Sequence, residues 1–271
     1  MKKFTLGLIV GIALTLIFFT VLSISDIYYS YYPKVGVIEL NGEISYSPSL
    51  FTETINPDDV FSLIKQAEDD NSIKSVLFKI NSPGGSVVAS REIALRIKEM
   101  KKPTICWLAD VAASGAYWIA SSCDKIVSDP LTITGSIGVE ASYLQFEKTF
   151  EKYGVEYERI VSGESKDIGS PYRNLTEEER KKLEKIVNDT LQYFLQDIIS
   201  SRNLTQAQIN EIISGDIFLG KDALKLGLID SLGSYQDAKK LAANLSGVKN
   251  PMFITLSKGE LSLIELLGKL I

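Results

Sequence analysis

From residue 35 onward, short apolar runs alternate with segments of helical period. Val35-Gly36-Val37-Ile38-Glu39-Leu40, Val76-Leu77-Phe78-Lys79-Ile80, Thr104-Ile105-Cys106-Trp107-Leu108 and Lys125-Ile126-Val127-Ser128 are rich in β-branched and large apolar residues and predict strands. Between the first two, Val60, Phe61, Ile64 and Ala67 share one face of a helix over 58–69. A second helix is predicted over 87–100, with Ser86 as its N-cap, and a third begins at Ser114. This repeated strand–helix order predicts an α/β fold with much parallel pairing. The second half is more helical. Thr176-Glu177-Glu178-Glu179 reads as a capping box. It opens a long helix with Leu183, Ile186, Val187, Leu191, Phe194, Leu195 and Ile198 on its apolar stripe. A shorter helix is predicted over 205–213. Leu261, Leu263, Ile264, Leu266, Leu267 and Leu270 form an amphipathic tail, whose default partner is the core.

The N-terminal pattern is different. Residues 4–25 are free of charge, and as a helix they would span roughly 33 Å, enough to cross a hydrocarbon core. Lys2 and Lys3 precede this stretch and Asp26 follows it, which places the N-terminus in the cytoplasm and the body outside. Tyr28, Tyr29, Tyr31 and Tyr32 fall where an interfacial aromatic belt would lie. Ser23-Ile24-Ser25 resembles a signal-peptidase site, but the apolar stretch exceeds the usual h-region, so an uncleaved anchor is expected. The expected division is a cytoplasmic start over 1–3, an anchor over 4–25, a juxtamembrane linker over 26–34, a folded domain over 35–243 and a C-terminal segment over 244–271.

Composition narrows the chemistry. The 271 residues are 45% apolar with a net charge of −5, and no basic block argues for nucleic acid as a partner. Cys106 and Cys123 match no metal spacing and read as two small buried hydrophobes, although an exported domain would also admit a bridge. Asn174-Leu175-Thr176 and Asn203-Leu204-Thr205 are sequons, relevant only in a host that glycosylates exported proteins. No histidine occurs anywhere in the chain, so a Ser-His-Asp triad and a His-Glu-x-x-His zinc site are both excluded.

Ser114, in Ala112-Ala113-Ser114-Gly115-Ala116-Tyr117, sits after a strand and at the start of a helix. Free amides and the positive helix end there favour developing negative charge. The plain alternative is an N-cap. Gly84-Gly85 ends another strand, and glycines permit the close backbone approach an oxyanion site needs, though a Pro-Gly-Gly turn is more often only a turn. The amides of Gly85 and Gly115 together would make an oxyanion hole. Without histidine, the base must be lysine, a carboxylate or the chain's own amine. Lys166, in Ser162-Gly163-Glu164-Ser165-Lys166-Asp167, is a candidate, although a lysine in a polar loop is ordinarily solvated surface. To serve as a base it must be neutral, which requires its pKa to fall from about 10.4 toward about 7–8. Ser136, in Thr134-Gly135-Ser136-Ile137-Gly138-Val139, is a candidate to orient it, or else a turn residue between glycines.

Taken in order, these stretches resemble the signal peptide peptidase A family, also called protease IV, in its short single-repeat form. Asn81-Ser82-Pro83-Gly84-Gly85-Ser86-Val87, Gly220-Lys221-Asp222-Ala223 and Gly227-Leu228-Ile229-Asp230 add to the likeness, which runs over about 35–243. The resemblance implies a crotonase/Clp-protease-like spiral of β-β-α units after one transmembrane helix. It also implies Ser114 as nucleophile, Lys166 as general base, Ser136 as the residue orienting the lysine, and Gly85 and Gly115 as oxyanion donors, with no cofactor and no metal. Implied partners are hydrophobic peptides such as cleaved signal peptides, the membrane, and further copies in a ring-like homo-oligomer on its outer face. The serine and lysine then come from one chain or from neighbouring subunits. Ala116 departs from the family, where a second glycine commonly follows the serine. Three alternatives remain at this level: a stomatin-associated membrane protease of the same fold, a crotonase-type acyl-CoA enzyme, and an inactive membrane scaffold.

Overall fold

Parallel strands dominate one eight-stranded sheet in the computed structural model, which describes residues 32–47, 49 and 51–257 together with Thr15 and Thr20. In chain order the elements are β1 (Lys34–Asn41), β2 (Glu43–Ile44), β3 (Thr54–Ile55), α1 (Pro57–Asp69), β4 (Ile73–Ser82), α2 (Val87–Lys98), β5 (Thr104–Ala113) and α3 (Gly115–Ser121). Then come β6 (Lys125–Ser128), β7 (Ile133–Gly135), α4 (Glu147–Tyr153), α5 (Glu177–Ser201) and α6 (Gln206–Ile212). The chain continues through β8 (Ile217–Leu219), α7 (Gly220–Lys225), β9 (Ser231–Leu232), α8 (Tyr235–Leu245) and β10 (Met252–Thr255). The main sheet runs β10-β1-β4-β5-β6-β9, all parallel, while β7 lies beside the far end of β5 and pairs antiparallel with β8. β2 and β3 form a separate parallel pair.

The predicted strands are continuous apolar runs because both faces of the sheet are covered. Ile38, Val76, Phe78, Ile80, Cys106, Leu108 and Ile126 pack on the face carrying α1, α2, α3 and α5. Val35, Val37, Leu77, Ile105 and Val127 pack on the other face against Ala238 and Ala242 of α8. α3 is buried along its whole length. Its Trp118 stacks on Phe194 of α5 with ring centroids 4.3 Å apart, and the Tyr117 hydroxyl donates to the Leu228 carbonyl at 2.8 Å.

The capping box at Thr176 and Glu179 is present, and Thr205 and Ser234 begin helices in the same way. Ser86 stands at the N-cap of α2, but its hydroxyl makes no capping bond. The cysteines depart from the expected reading. Both are buried, as small hydrophobes would be, but they are joined in a disulfide, Cys106 on β5 to Cys123 just past α3. The turn back from α3 brings the two Cα atoms within 5.9 Å, a closeness the 17-residue separation could not reveal. The expected anchor over 4–25, Tyr28, Tyr29 and Tyr31 of the aromatic belt, and the amphipathic tail fall outside the fully described residues. Among the described residues no helix is long and apolar enough to cross a membrane.

Candidate active site

The site forms where β4, β5 and β7 end side by side. β4 runs out through Ser82 into Pro83-Gly84-Gly85. The Ser82 hydroxyl accepts the Gly84 amide at 3.1 Å, closing a tight turn. Gly84 and Gly85 take φ of 102° and 151°, where a side chain is strained. Space forbids one as well: a Cβ on Gly85 would lie 2.2 Å from the Ile44 carbonyl oxygen. Ile44 of β2 is bridged to this turn, donating to the Gly84 carbonyl at 2.9 Å and accepting the Ser86 amide at 2.8 Å. In such a parallel bridge the middle residue's own amide points away from the partner strand. The Gly85 amide therefore faces α3, and its nitrogen is 3.5 Å from where a Cβ on Gly115 would stand.

β5 carries the nucleophile candidate. Its register against β4 slips, from Ile80 opposite Leu108 to Ser82 opposite Ala112, and this bulge redirects the strand end. Ser114 then turns the chain into α3 with φ 53° and ψ −125°. Its amide donates to the Gly135 carbonyl at 2.9 Å and its carbonyl accepts the Trp118 amide at 3.0 Å. It stands at the N-cap position, yet its hydroxyl caps nothing, so the plain alternative from sequence does not apply. Gly115 begins α3, so its amide belongs to the first turn, whose donors lack intrahelical partners. A Cβ on Gly115 would lie 2.2 Å from Oγ of the buried Ser90, whose hydroxyl donates to the Ser86 carbonyl at 2.8 Å.

Ser136 follows β7 with φ 49°, and its amide donates to the Asp216 carbonyl at 2.7 Å. Among the described residues, Ser114 and Ser136 are the only non-glycine residues with positive φ. Such conformations are costly and gather at functional sites. Both serines line one cavity of about 530 Å³, with Gly85, Gly115, Ser90 and Trp118. The structure thus brings together four of the five residues singled out in the sequence. The fifth, Lys166, is exposed on a turn over 164–169 and is not among the cavity's lining residues, none of which is a lysine. Sequence reasoning missed Ser90, Asp216 and the Trp118–Phe194 stack at the cavity wall. Ser90 looks like any small residue on a helix, and Asp216 acts through its backbone, so neither left a signal to find.

Comparison with known proteins places this geometry. The family described as peptidase family S49 matches residues 96–249, and the Clp protease family matches residues 44–129. A protein of Methanocaldococcus jannaschii that carries a protease name is 37% identical over 195 residues, covering 71% of this chain and 63% of that protein. Protease 4 of Haemophilus influenzae is 33% identical over 215 residues, covering 78% of this chain and 35% of that protein. The chain therefore matches less than two thirds of the length of either relative. A solved structure of a membrane-bound stomatin-specific protease mutant in complex with a substrate peptide aligns with a TM-score of 0.56 at 19% identity, covering 88% of this chain and 99% of that one. The fold is accordingly Clp-protease-like α/β with a mixed sheet.

Proposed function

We propose, for a chain that belongs to peptidase family S49 and is a serine peptidase, that it cleaves hydrophobic peptides at a membrane through a Ser114/Lys166 dyad completed between neighbouring subunits. Family membership favours a peptidase over the acyl-CoA enzyme and the inactive scaffold, and labelling of Ser114 by a fluorophosphonate separates it from the scaffold. The observation that carries the reading is the pair of strained serines on one cavity wall, Ser114 with its hydroxyl free of any capping bond. With no histidine in the chain, Lys166 is the proposed base ahead of a carboxylate or the chain's own amine, and a cavity lining without lysine, together with the exposure of Lys166, supports delivery of that lysine by a second copy. The apolar stretch over 4–25 supports membrane anchoring with the catalytic domain on the extracytoplasmic side.

In the proposed cycle, neutral Lys166 Nζ takes the proton of Ser114 Oγ as that oxygen attacks the peptide carbonyl carbon. The Gly85 and Gly115 amides hold the resulting oxyanion. The lysine ammonium returns its proton to the leaving amine and the C–N bond breaks, leaving an acyl-serine. Lys166 then takes a proton from water as the water oxygen attacks the acyl carbon, the ester bond to Ser114 Oγ breaks, and the ammonium returns its proton to that oxygen, regenerating Ser114 and neutral Lys166. Ser136 lies on the same wall and orients the arriving Nζ.

Peptide hydrolysis by Ser114→Ala, by Lys166→Ala and by their mixture tests this. Each variant alone should lose at least about 10²-fold in turnover. The reassembled mixture should regain activity, because some sites then hold both native residues. Near-normal turnover in either single variant overturns the dyad, and a mixture that stays inactive overturns its sharing between subunits. Activity of the native protein should rise toward alkaline pH, since the base acts when neutral. A second reading of the substrate is a segment of a stomatin, as the name of the stomatin-specific protease with the same fold suggests. Parallel cleavage of a signal peptide and such a segment separates the two.

A further inference from the structure

The turn that carries Lys166 has little apolar packing to hold it. α4, which precedes it, buries no residue, and a Cβ on Gly163 or Gly169 would meet nothing within 4 Å. Besides its own backbone bonds, such as the Lys166 amide to the Gly163 carbonyl at 3.0 Å, and the Tyr172 ring packed on Phe150 and Tyr157 just after it, a chain of fork-to-fork ion pairs fixes it. Arg159 donates to Asp167 through Nε at 2.9 Å and Nη2 at 2.8 Å, and Nη2 also reaches the Glu164 carbonyl. Arg173 donates to the same carboxylate at 2.9 and 2.8 Å. The other edge of Arg173 takes both oxygens of Glu179 at 2.8 and 2.6 Å. Glu179 is the capping-box carboxylate of α5 and accepts the Thr176 amide at 3.0 Å. A parallel tether runs from Lys182 Nζ to Ser165 Oγ at 2.9 Å.

The side chains of Asp167, Arg173 and Glu179 are only 16%, 17% and 4% exposed, so these bonds are shielded compared with ordinary surface pairs. The clamp grips the residues at positions 164, 165 and 167 and leaves the Lys166 side chain exposed between them.

We propose that Arg159, Asp167, Arg173 and Glu179 are positioning residues that tie the turn bearing Lys166 to the first turn of α5 and so set where the lysine ammonium is presented to Ser114. This rests on the reading of Lys166 as the base. A misplacement of about 1 Å can cost about 10²-fold in rate. Such a role predicts a loss in kcat rather than in substrate binding.

The test compares full-length Asp167→Asn, Arg159→Lys and Lys166→Ala, with Asp167→Asn also made in the Lys166→Ala background. Peptide kcat and KM, Ser114 labelling by a fluorophosphonate, and thermal unfolding are read for each. Asp167→Asn should lower kcat by about 10- to 100-fold with KM within about twofold, and slow labelling in proportion. Arg159→Lys keeps the charge but loses the fork, and should fall in between while unfolding near the native temperature. In the Lys166→Ala background Asp167→Asn should slow the residual labelling no further, because its effect passes through the lysine. Native kcat in Asp167→Asn and Arg159→Lys, with Lys166→Ala inactive, overturns the positioning role and leaves the dyad standing. An additive further loss in the double variant also overturns it, marking the cluster as structural alone. An active Lys166→Ala removes the dyad reading itself.

Discussion

Breaking the Cys106–Cys123 bond should cost stability without costing chemistry. The bond closes a loop spanning a 17-residue separation, and that loop contains the whole elbow from β5 through Ser114 into α3. In the chain-entropy treatment, a loop of that length restrains the unfolded chain by about 3 kcal/mol at 25 °C. For a domain of this size each kcal/mol moves Tm by about 2–4 °C, so the expected fall is about 6–12 °C. Ser114 itself is held by other means: its amide bonds Gly135, its carbonyl bonds Trp118, and the helix it begins is buried throughout. Turnover at 25 °C should therefore stay within about twofold of native. The assay compares thermal unfolding of the oxidised protein, the protein refolded in reductant, and Cys106→Ala/Cys123→Ala. The alanine pair should melt slightly below the reduced protein, because it also loses two buried sulfurs. A reduced protein melting within about 2 °C of the oxidised one would refute the entropic argument. A large loss of turnover at 25 °C would show that the bond helps hold the elbow.

Three further outcomes follow from the geometry. Gly85→Ala should abolish activity and lower Tm, since the new Cβ would stand 2.2 Å from the Ile44 oxygen at a φ of 151°, as peptidase assay and circular dichroism will show. Tyr117→Phe should lower the urea-derived stability by about 1–3 kcal/mol, because the Leu228 carbonyl loses its buried donor. Acid should unfold the lysine-bearing region: Arg173 holds the Glu179 carboxyl at about 2, down from the ordinary 4.5, and with Arg159 also depresses Asp167. A depressed carboxyl contributes stability that is full above its unfolded value and disappears as pH falls toward the folded one. The loss should thus develop from about pH 4.5 down to about pH 2, and Glu179→Gln should flatten it in an acid titration followed by circular dichroism.

The parts of the fold legible in the sequence are those whose burial imposes a pattern. β1, β4, β5 and β6 sit in the middle of a sheet covered on both faces, and their apolar runs announce them. α1 and α5 carry apolar stripes and side-chain caps, so their starts were legible to within a residue or two. β7, β8, β9 and β10 are two to four residues long, too short for a period, and exist because neighbouring strands offer edges. The candidate site divides in the same way. Gly85 and Gly115 mark themselves, since glycine is needed where backbone must approach backbone. Serine carries no such mark, and the positive φ of Ser114 and Ser136 follows from the β5 bulge and the Asp216 carbonyl. That Lys166 is not among the cavity's lining residues is tertiary information that no local motif contains.

A base that is absent from the lining of the nucleophile's cavity fits the chemistry of lysine. A histidine base works through a ring whose plane and tautomer must be set by a third residue, so it is best mounted beside the nucleophile. A lysine presents a compact point charge on a long flexible stem, with no plane to orient. Its demand is different: it must lose its proton, which desolvation favours. On the single chain the Lys166 side chain is exposed. Docked against a second copy's cavity, beside Ser136 and away from water, the same amine would be stripped of solvent where it is needed. In the proposed arrangement assembly therefore does two things at once, bringing the lysine to the nucleophile and removing water from around it.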